Sequence, residues 1–219
     1  RRIAHNGSGN RPGVMVRIAV VAVALSVTVM ILALAVIMGF KREITDRVTG
    51  FSAQVEVADL RSAGSIESVP VLRSEQLERA IRSAGEVVRL APYAVKGGVV
   101  KTPDAILGVM LKGVDGGYDW SFFRDHLLEG ELPRVGDSIR TKEILISRSV
   151  AREMGLVPGD KVEMLFVESE KSPRRDRFKV SGIYATGMDE FDRSVAMTDL
   201  RNVQRLADWS SEEVSGYEV

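Results

Sequence analysis

The sequence predicts a membrane protein that consists of one transmembrane α-helix followed by an α+β domain. Residues 18–40 contain no charged side chain, and Ser26 and Thr28 carry the only hydroxyl groups among them. The remaining sequence mixes apolar and charged residues. Its apolar residues recur with helical spacing in some stretches and alternate in others, which indicates helices and strands in one domain.

Residues 18–40 are long enough to cross a membrane. As an α-helix the segment measures about 35 Å, and the hydrocarbon core of a bilayer is about 30 Å thick. A helix also satisfies its own backbone hydrogen bonds, which lipid requires. The alternatives are a buried core helix and a cleaved signal peptide with its cleavage site at residues 33–35. The unbroken apolar run exceeds the roughly 7–15 residues typical of a signal peptide and favours a membrane anchor.

Charged and apolar residues beside this segment predict its orientation and its continuation. Four basic residues precede it and three follow it: Arg1, Arg2, Arg11 and Arg17, then Lys41, Arg42 and Arg47. The positive-inside rule therefore predicts a cytoplasmic segment at residues 1–17. Apolar residues spaced four apart from Phe40 to Val48 predict that the helix continues as a stalk over residues 41–50. Gly50 is a candidate for its C-terminal stop.

The sequence after the stalk predicts two subdomains with a boundary near Gly113. The first has the order β-α-β-β, which places a helix on one face of a small sheet. Its expected elements are strands at 54–57, 86–91, 93–101 and 105–112, a loop at 59–73, and a helix capped by Ser74 and ended by Gly85. The second is richer in turns. Its expected elements are strands from "KEILIS", "KVEMLFV", "RFKVSGIY" and "RSVAMTDL", and short helices at 119–128, after Ser147, and after Thr198 or Asp199.

Composition and motifs exclude several functions. Lys and Arg total 30, as do Asp and Glu, which removes the simplest argument for nucleic-acid binding. The chain has no cysteine, which excludes disulfides and thiolate chemistry. The segment "NGSGNRPG" at 6–13 has the glycines of a phosphate-binding loop but lacks the Lys-Ser/Thr pair. We therefore expect no ATP site in this chain.

Few residues could support catalysis or bind a metal. His5 and His126 fall on opposite sides of the predicted membrane, so neither a zinc site nor a Ser-His-Asp triad is expected. We interpret His126 as a surface or helix-end residue. Asp189, Glu190 and Asp192 in "MDEFD" could do acid–base work or hold Ca²⁺, but the flanking glycine favours a solvated loop. We predict no catalytic residue, no metal, no cofactor and no enzyme activity in this chain.

The segment "KSPRRDR" concentrates positive charge between two predicted strands. It could bind an acidic partner or a lipid headgroup, and a solvated hairpin tip is the alternative. The candidate partner-binding residues are Lys171, Pro173, Arg174, Arg175 and Arg177.

Several motifs in order resemble one known family. The chain opens with "RRIAH", its apolar helix ends in Gly39-Phe40, and "ILISRSVAREMGLVPGDKVEML" and "FKVSGIYATGMDEFDRSVAMTDLRNVQRL" follow. These motifs resemble the LolC/LolE lipoprotein-releasing permeases, which belong to the wider MacB/FtsX-like group of ABC transporter permeases. The most specific signals are "MGLVPGDKV" and "VSGIYATGMDEFD".

This resemblance implies a fold and a location. The family has four membrane helices in the bacterial inner membrane and a large periplasmic domain between the first two. That domain has a Porter subdomain, which would match residues 51–112 and 200–219, and a Sabre subdomain, which would match residues 113–199. Residues 18–40 would be the first membrane helix, and the other three would lie beyond this fragment.

The resemblance also implies a function and partners. A separate cytoplasmic ATPase with ATP and Mg²⁺ would drive the permease, which would pair with a second copy or a paralogue. Lipoproteins would leave the outer leaflet of the inner membrane and pass to a periplasmic chaperone. The first helix would line the membrane cavity that binds their lipid. Its candidate residues are Val27, Met30, Leu34, Ile37, Met38, Phe40 and Ile44.

One departure and one alternative stay open at this point. LolC-type members bind the chaperone through a long hairpin that LolE-type members lack, and the matching segment here, residues 168–177, is short. The chain is therefore expected to be LolE-like or to form both halves of a transporter. The alternative function is a MacB/FtsX-like permease that transmits movement to an efflux partner or a cell-wall hydrolase.

Overall fold

A computed structural model describes residues 11–51, 53–62, 68–85, 87–103, 105–136, 139–168 and 171–219. The chain divides into two compact units, Arg1–Val48 and Thr49–Val219. Residues 1–10, which hold His5 and most of the glycine-rich segment, lie outside the described residues, so the predictions made for them stay predictions.

The first unit is built on one long helix, α1 (Arg11–Phe51). Its stretch Gly13–Arg42 is long and apolar enough to cross a membrane, and at 1.5 Å per residue it measures about 45 Å. The side chains of this stretch are exposed, so the alternative of a buried core helix is wrong. The helix continues through the predicted stalk and ends one residue beyond Gly50.

The second unit combines strands with short helices, as the predicted α+β class requires. Its elements in chain order are β1 (Glu56–Ala58), a 3-10 turn (Leu60–Ser62), β2 (Val71–Leu72), α2 (Glu75–Ser83), β3 (Ala91–Lys101), β4 (Ile106–Val114), α3 (Ser121–Asp125), β5 (Leu127–Gly130), β6 (Glu143–Ser147), α4 (Arg148–Met154), β7 (Lys161–Glu168), β8 (Lys171–Tyr184), α5 (Asp189–Asp192), β9 (Val195–Asp199), α6 (Leu200–Leu206), β10 (Glu213–Val214) and β11 (Gly216–Glu218).

Among the described residues, nine strands form one sheet in the order β1-β11-β3-β4-β9-β6-β8-β5, and β7 pairs with both β3 and β8. Most pairs are antiparallel, but β4 pairs with β9 and β6 with β8 in parallel. β2 and β10 form a separate two-stranded sheet. The predicted boundary at Gly113 falls inside β4, and the sheet continues across it. The division into two subdomains stays a prediction.

The two faces of the sheet are covered differently. On one face, α4 and α6 bury aliphatic side chains such as Val150 and Val203, and Leu77 and Ile81 of α2 pack at the margin. On the other face, a smaller cluster around Phe123 covers only the part formed by β4, β9, β6 and the end of β8. This cluster does not extend over the end of β3, β7 and the start of β8, where the side chains of Lys101, Lys161, Arg175 and Arg177 are exposed.

Three helices of this unit, α2, α4 and α6, begin where the sequence predicts, whereas α5 forms where a loop was expected. The side chains of Ser74, Ser147 and Asp199 each accept a hydrogen bond from a backbone N–H of the first turn that follows. Gly155 ends α4 in the left-handed conformation, with φ of 65°. These short polar side chains and this glycine determine the helix ends locally, which explains why the sequence located them.

Two local predictions are wrong. The expected strand at 86–91 does not form, because β3 begins at Ala91 and the Val88 side chain is 96% exposed rather than paired in a sheet. The expected loop between "KVEMLFV" and "RFKVSGIY" is mostly strand, because β8 already begins at Lys171. Pro173 is accommodated there because the pairing of β7 with β8 is irregular between Phe166 and Glu168.

A buried ion pair connects the last strand to the interior of the sheet. Lys112 of β4 reaches across β3, and its Nζ lies 2.5 Å from Oε1 of Glu218 on β11. Both side chains are only 10% exposed. The Lys112 ammonium also lies 5.7 Å and 5.6 Å from the ring centroids of Tyr93 and Tyr118. The aromatic rings and the carboxylate together compensate the loss of water around this cation.

Removing one partner of this pair should be costly. We expect Lys112→Met to lower the free energy of unfolding by roughly 3–5 kcal/mol, because Glu218 would stay buried without its counter-ion. The double variant Lys112→Met/Glu218→Met should be less destabilised than the single variant. Arg79→Met is the matched control, because Arg79 pairs with Glu75 at 3.9 Å on the exposed surface, where a pair contributes about 0–1 kcal/mol. Urea unfolding followed by circular dichroism measures all three, and equal losses would contradict the argument.

A second prediction concerns the packing of α6 on β4. A Cβ atom added at Gly113 would lie 2.8 Å from Cγ2 of Val203 and 2.9 Å from the Leu200 Cα, whereas one added at Gly108 of the same strand would meet nothing within 4 Å. We expect Gly113→Ala to destabilise the domain by about 1–3 kcal/mol, because backbone atoms must shift. Gly108→Ala, the control, should not destabilise it. Thermal unfolding compares the two variants, and a similar loss in both would show that close packing at Gly113 is not the cause.

Candidate functional site

The candidate lipid-binding residues lie on the exposed surface of α1. All seven side chains, Val27, Met30, Leu34, Ile37, Met38, Phe40 and Ile44, are between 45% and 68% exposed. At about 100° per residue they occupy one broad side of the helix. Apolar residues outside this set, such as Leu32, are equally exposed. The helix therefore offers apolar surface all round, and which side binds lipid stays a prediction.

The two hydroxyl groups inside this apolar surface are satisfied within the helix. Ser26 Oγ donates to the Ala22 carbonyl oxygen at 2.9 Å, and Thr28 Oγ1 donates to that of Ala24 at 2.8 Å. A hydroxyl bonded one turn back needs no external partner in lipid. The outer surface of this part of α1 is thus compatible with hydrocarbon in spite of its polar residues.

The candidate partner-binding residues do not form one cluster, because successive residues of a strand point to opposite faces. Arg174 and Asp176 point to the helix-covered face, where Arg174 pairs with Asp208 and donates to the Arg205 carbonyl oxygen at 3.0 Å. Arg175 and Arg177 point to the open face and are exposed. Pro173 is exposed as well; the Lys171 side chain lies outside the described part of the chain.

The two open-face arginines share one carboxylate. Arg175 Nη1 and Arg177 Nε lie 3.7 Å and 3.5 Å from the two oxygens of Glu163 on β7. The guanidinium side chains remain 70% and 76% exposed. A guanidinium has five N–H donors, so this contact leaves donors on both arginines directed to solvent.

Three lysines extend this positive surface, and the sequence analysis missed them. Lys179 follows Arg177 on the same face of β8, Lys161 pairs opposite Lys179, and Lys101 pairs opposite Glu163. All three side chains are exposed. We call Lys101, Lys161, Arg175, Arg177 and Lys179 the basic face. Strand alternation could have assigned Lys161 and Lys179 to it, but the pairing of β3 with β7 is not visible in the sequence.

The carboxylates of "MDEFD" are not one solvated group. Asp192 is 5% exposed, and its carboxylate accepts hydrogen bonds from the Thr186 N–H and hydroxyl at 3.1 and 2.9 Å and from the Gly187 N–H at 3.2 Å. The solvated-loop interpretation is wrong for Asp192, which holds the turn at residues 186–187 in place. The side chains of Asp189 and Glu190 lie outside the described part of the chain.

His126 is a helix-end residue, as predicted. It follows α3, and its ring stacks on Phe122 with the centroids 4.3 Å apart. Its Nδ1 lies 2.8 Å from the Phe122 carbonyl oxygen. The histidine is thus engaged with its own helix, and within the described residues no group of three or more His, Asp and Glu side chains is placed to hold a metal ion.

A groove of about 760 Å³ is a concave feature that the sequence did not predict. It lies between β1 and β11, the end of α2, residues 87–91 and residues 118–122. Its apolar lining includes Val55, Val57, Ile81, Val87, Val88 and Phe122.

The charged side chains Arg89, Asp119 and Glu218 of this groove each have a partner of opposite charge. Arg89 and Asp119 form an ion pair at 2.5 Å, with both side chains 49% exposed. The Glu218 carboxylate belongs to the buried pair with Lys112. Burial and the negative charge of Glu218 raise the pKa of Tyr118 well above its usual value, so this phenol also stays uncharged. The groove is therefore apolar with balanced polar groups.

Comparison with known proteins identifies the family. Residues 18–217 match the MacB-like periplasmic core domain. The lipoprotein-releasing system transmembrane protein LolC of Xylella fastidiosa strain Temecula1 is 27% identical over 182 residues, which are 79% of this chain and 41% of the relative. LolC of strain 9a5c is 28% identical over 184 residues, with the same shares. The chain thus spans about two fifths of the length of these relatives.

Two solved structures are also similar. The extracellular domain of the noncanonical ABC-type transporter YknZ from Gram-positive bacteria gives a TM-score of 0.46 at 14% identity, covering 74% of this chain and 78% of that one. The periplasmic region of MacB from Actinobacillus actinomycetemcomitans gives 0.46 at 13% identity, covering 74% and 70%.

The family match extends over almost the whole described chain, from α1 to β11. It includes the apolar helix and the α+β domain, so the resemblance predicted from the motifs is confirmed at the level of the family. The chain belongs to the MacB-like periplasmic core domain family, within the LolC/MacB-like group of ABC transporter permeases.

Proposed function

We propose that this chain is part of the permease of an inner-membrane ABC transporter that extracts lipoproteins and passes them to a periplasmic carrier. The observation that carries the proposal is α1: an exposed apolar helix that continues without a break beyond its apolar stretch to Phe51. The LolC relatives, named as part of a lipoprotein-releasing system, support the choice of cargo.

The chemistry of α1 suits a lipid cargo. Acyl chains bind wherever apolar walls replace water, at about 0.8 kcal/mol for each buried CH₂ group. The helix provides such walls and carries no unsatisfied hydroxyl along them. In this proposal the energy comes from ATP and Mg²⁺ in a separate cytoplasmic ATPase, and the chain has no catalytic site of its own. A second permease copy or paralogue completes the membrane cavity.

The basic face is the surface we assign to the periplasmic carrier. An arginine whose N–H donors are directed to solvent can bind one carboxylate through two hydrogen bonds. Clustered positive charge also accelerates the approach of an acidic partner. Because Arg174 is held by Asp208 on the opposite face, the contact depends on Arg175 and Arg177 among the residues predicted from the sequence. Pro173 and Lys171 would flank it.

A MacB/FtsX-like function is the second candidate. It is favoured by the MacB-like description of the matched family and by the strand bounds, since β7 ends at Glu168 and β8 begins at Lys171. Such a permease would transmit movement to an efflux partner or a cell-wall hydrolase. Purification of the full-length permease with native lipid distinguishes the two. Only the first should copurify with triacylated lipoproteins, whereas the ATPase activity of the second should respond to a different periplasmic partner.

The predicted lipid-facing side of α1 can be tested by photocrosslinking in membranes that contain the full-length permease. A photoreactive residue at Met30 should crosslink to lipoprotein, because the predicted binding side includes this position. Leu32 is the matched control, since it is 59% exposed against 60% for Met30 and lies on another side of the helix. Immunoblotting detects the adduct. Equal crosslinking at both positions would contradict the assigned side, and no adduct at any position of α1 would contradict the cargo.

The basic face can be tested by charge reversal. Arg175→Glu/Arg177→Glu should weaken binding of the carrier by about tenfold or more, and the remaining affinity should depend less on salt, because attractive charge has become repulsive. Arg79→Glu/Arg82→Glu is the matched control, because it reverses two exposed arginines on α2. Surface plasmon resonance at two salt concentrations measures both. An unchanged affinity in the first variant would remove the basic face from the proposal.

A further inference from the structure

The groove in the second unit has no role in the function proposed above. Its lining is mostly apolar, and Val88 and Val55 within it are 96% and 56% exposed. Apolar side chains grouped in a concave surface lose contact with water only when something else fills the space. The size of the groove, about 760 Å³, lies within the roughly 300–1,000 Å³ of small-molecule sites.

The balance of charge in the groove indicates the chemistry of its ligand. Arg89 is paired with Asp119, and Glu218 is paired with Lys112. Neither an anion nor a cation would find an uncompensated partner there, and each would lose water on entry. An uncharged hydrocarbon chain needs no charged partner, so the pairing of these charges does not weaken its binding.

The position of the groove along the chain favours a ligand that comes from the membrane. Its first lining residue is Ala53, two residues after the end of α1 at Phe51. The stretch of α1 that could span a membrane ends at Arg42, so along the chain only residues 43–52 separate the lining from the source of acyl chains. A groove that binds a protein would be expected to carry polar groups directed outward at its rim. Here Arg89 and Asp119 are directed at each other.

We propose that this groove binds one acyl chain of the lipid-modified cargo after the chain has left the bilayer. The proposal rests on the proposed function, because it takes the cargo to be lipidated. It assigns to the α+β domain a direct contact with the lipid, in addition to the contact made by α1. Val57, Ile81 and Val87 would contact the methylene groups, and the Arg89–Asp119 pair would lie at the polar end.

The probe is a synthetic peptide with an N-terminal diacylglyceryl-cysteine that carries a diazirine in one acyl chain. It is added to the full-length permease in lipid nanodiscs, and mass spectrometry maps the labelled peptides after irradiation. We expect labels on α1 and on residues 53–58 and 84–91. Ala84→Trp, which fills the groove, should reduce groove labelling about tenfold, the change expected when roughly two methylene groups lose their contacts. Labelling of α1 should not change.

Two further variants make the test specific. Val88→Asp places a carboxylate in the groove at a position too exposed to affect folding, and it should also reduce groove labelling. Ile106→Trp adds the same indole at a 68% exposed site outside the groove and should change nothing. If neither Ala84→Trp nor Val88→Asp lowered groove labelling, the groove would not be the binding site.

The failure of this inference can be told from the failure of the proposed function. Labels on α1 without labels in the groove would overturn the groove site and leave the transporter proposal intact. Labels in neither place would contradict both. A phosphatidylethanolamine with the same diazirine should label α1 only, and equal labelling of the groove by this lipid would overturn the assignment to cargo. Crosslinks from the groove to a second protein would also overturn it.

Discussion

The structure depends first on one constraint: a helix with apolar side chains on every side cannot be covered by water at low cost. The exposed stretch Gly13–Arg42 meets that constraint only in hydrocarbon, since burial of each apolar side chain is worth about 1.5–3 kcal/mol. Its backbone and both of its hydroxyl groups are satisfied inside the helix. The membrane is therefore part of the folding environment of this chain, and the proposal for the cargo follows from that.

The second unit differs from the first because it holds a wide sheet together with few helices. Two of its buried charged side chains join elements through their partners. The Lys112–Glu218 pair anchors β11 against β4, and Asp192 holds the turn at residues 186–187. Taken alone, buried charged residues of this kind could be mistaken for catalytic groups. Their partners show that they stabilise the fold.

Strand alternation determines which basic residues can act together. In the sequence, Arg174, Arg175 and Arg177 belong to one short segment. In the sheet, the first arginine is held against the turn after α6 by Asp208, and the other two join lysines from β3, β7 and β8. The proposed partner-binding surface is therefore broader than the segment predicted for it, and its location depends on a pairing between strands more than sixty residues apart.

The sequence by itself determined the features that depend on near neighbours. These include the apolar helix and its continuation, the caps at Ser74, Ser147 and Asp199, the end of α4 at Gly155, and the family, whose motifs are continuous segments. Tertiary structure alone decided which strands are neighbours, and hence the close approach of α6 to Gly113, the burial of Lys112 with Glu218, the extent of the basic face and the groove. It also decided that residues 87–90 line that groove instead of forming a strand. The physical reason is that helix caps and periodicity arise from contacts a few residues apart, whereas packing joins residues that chain order does not bring together.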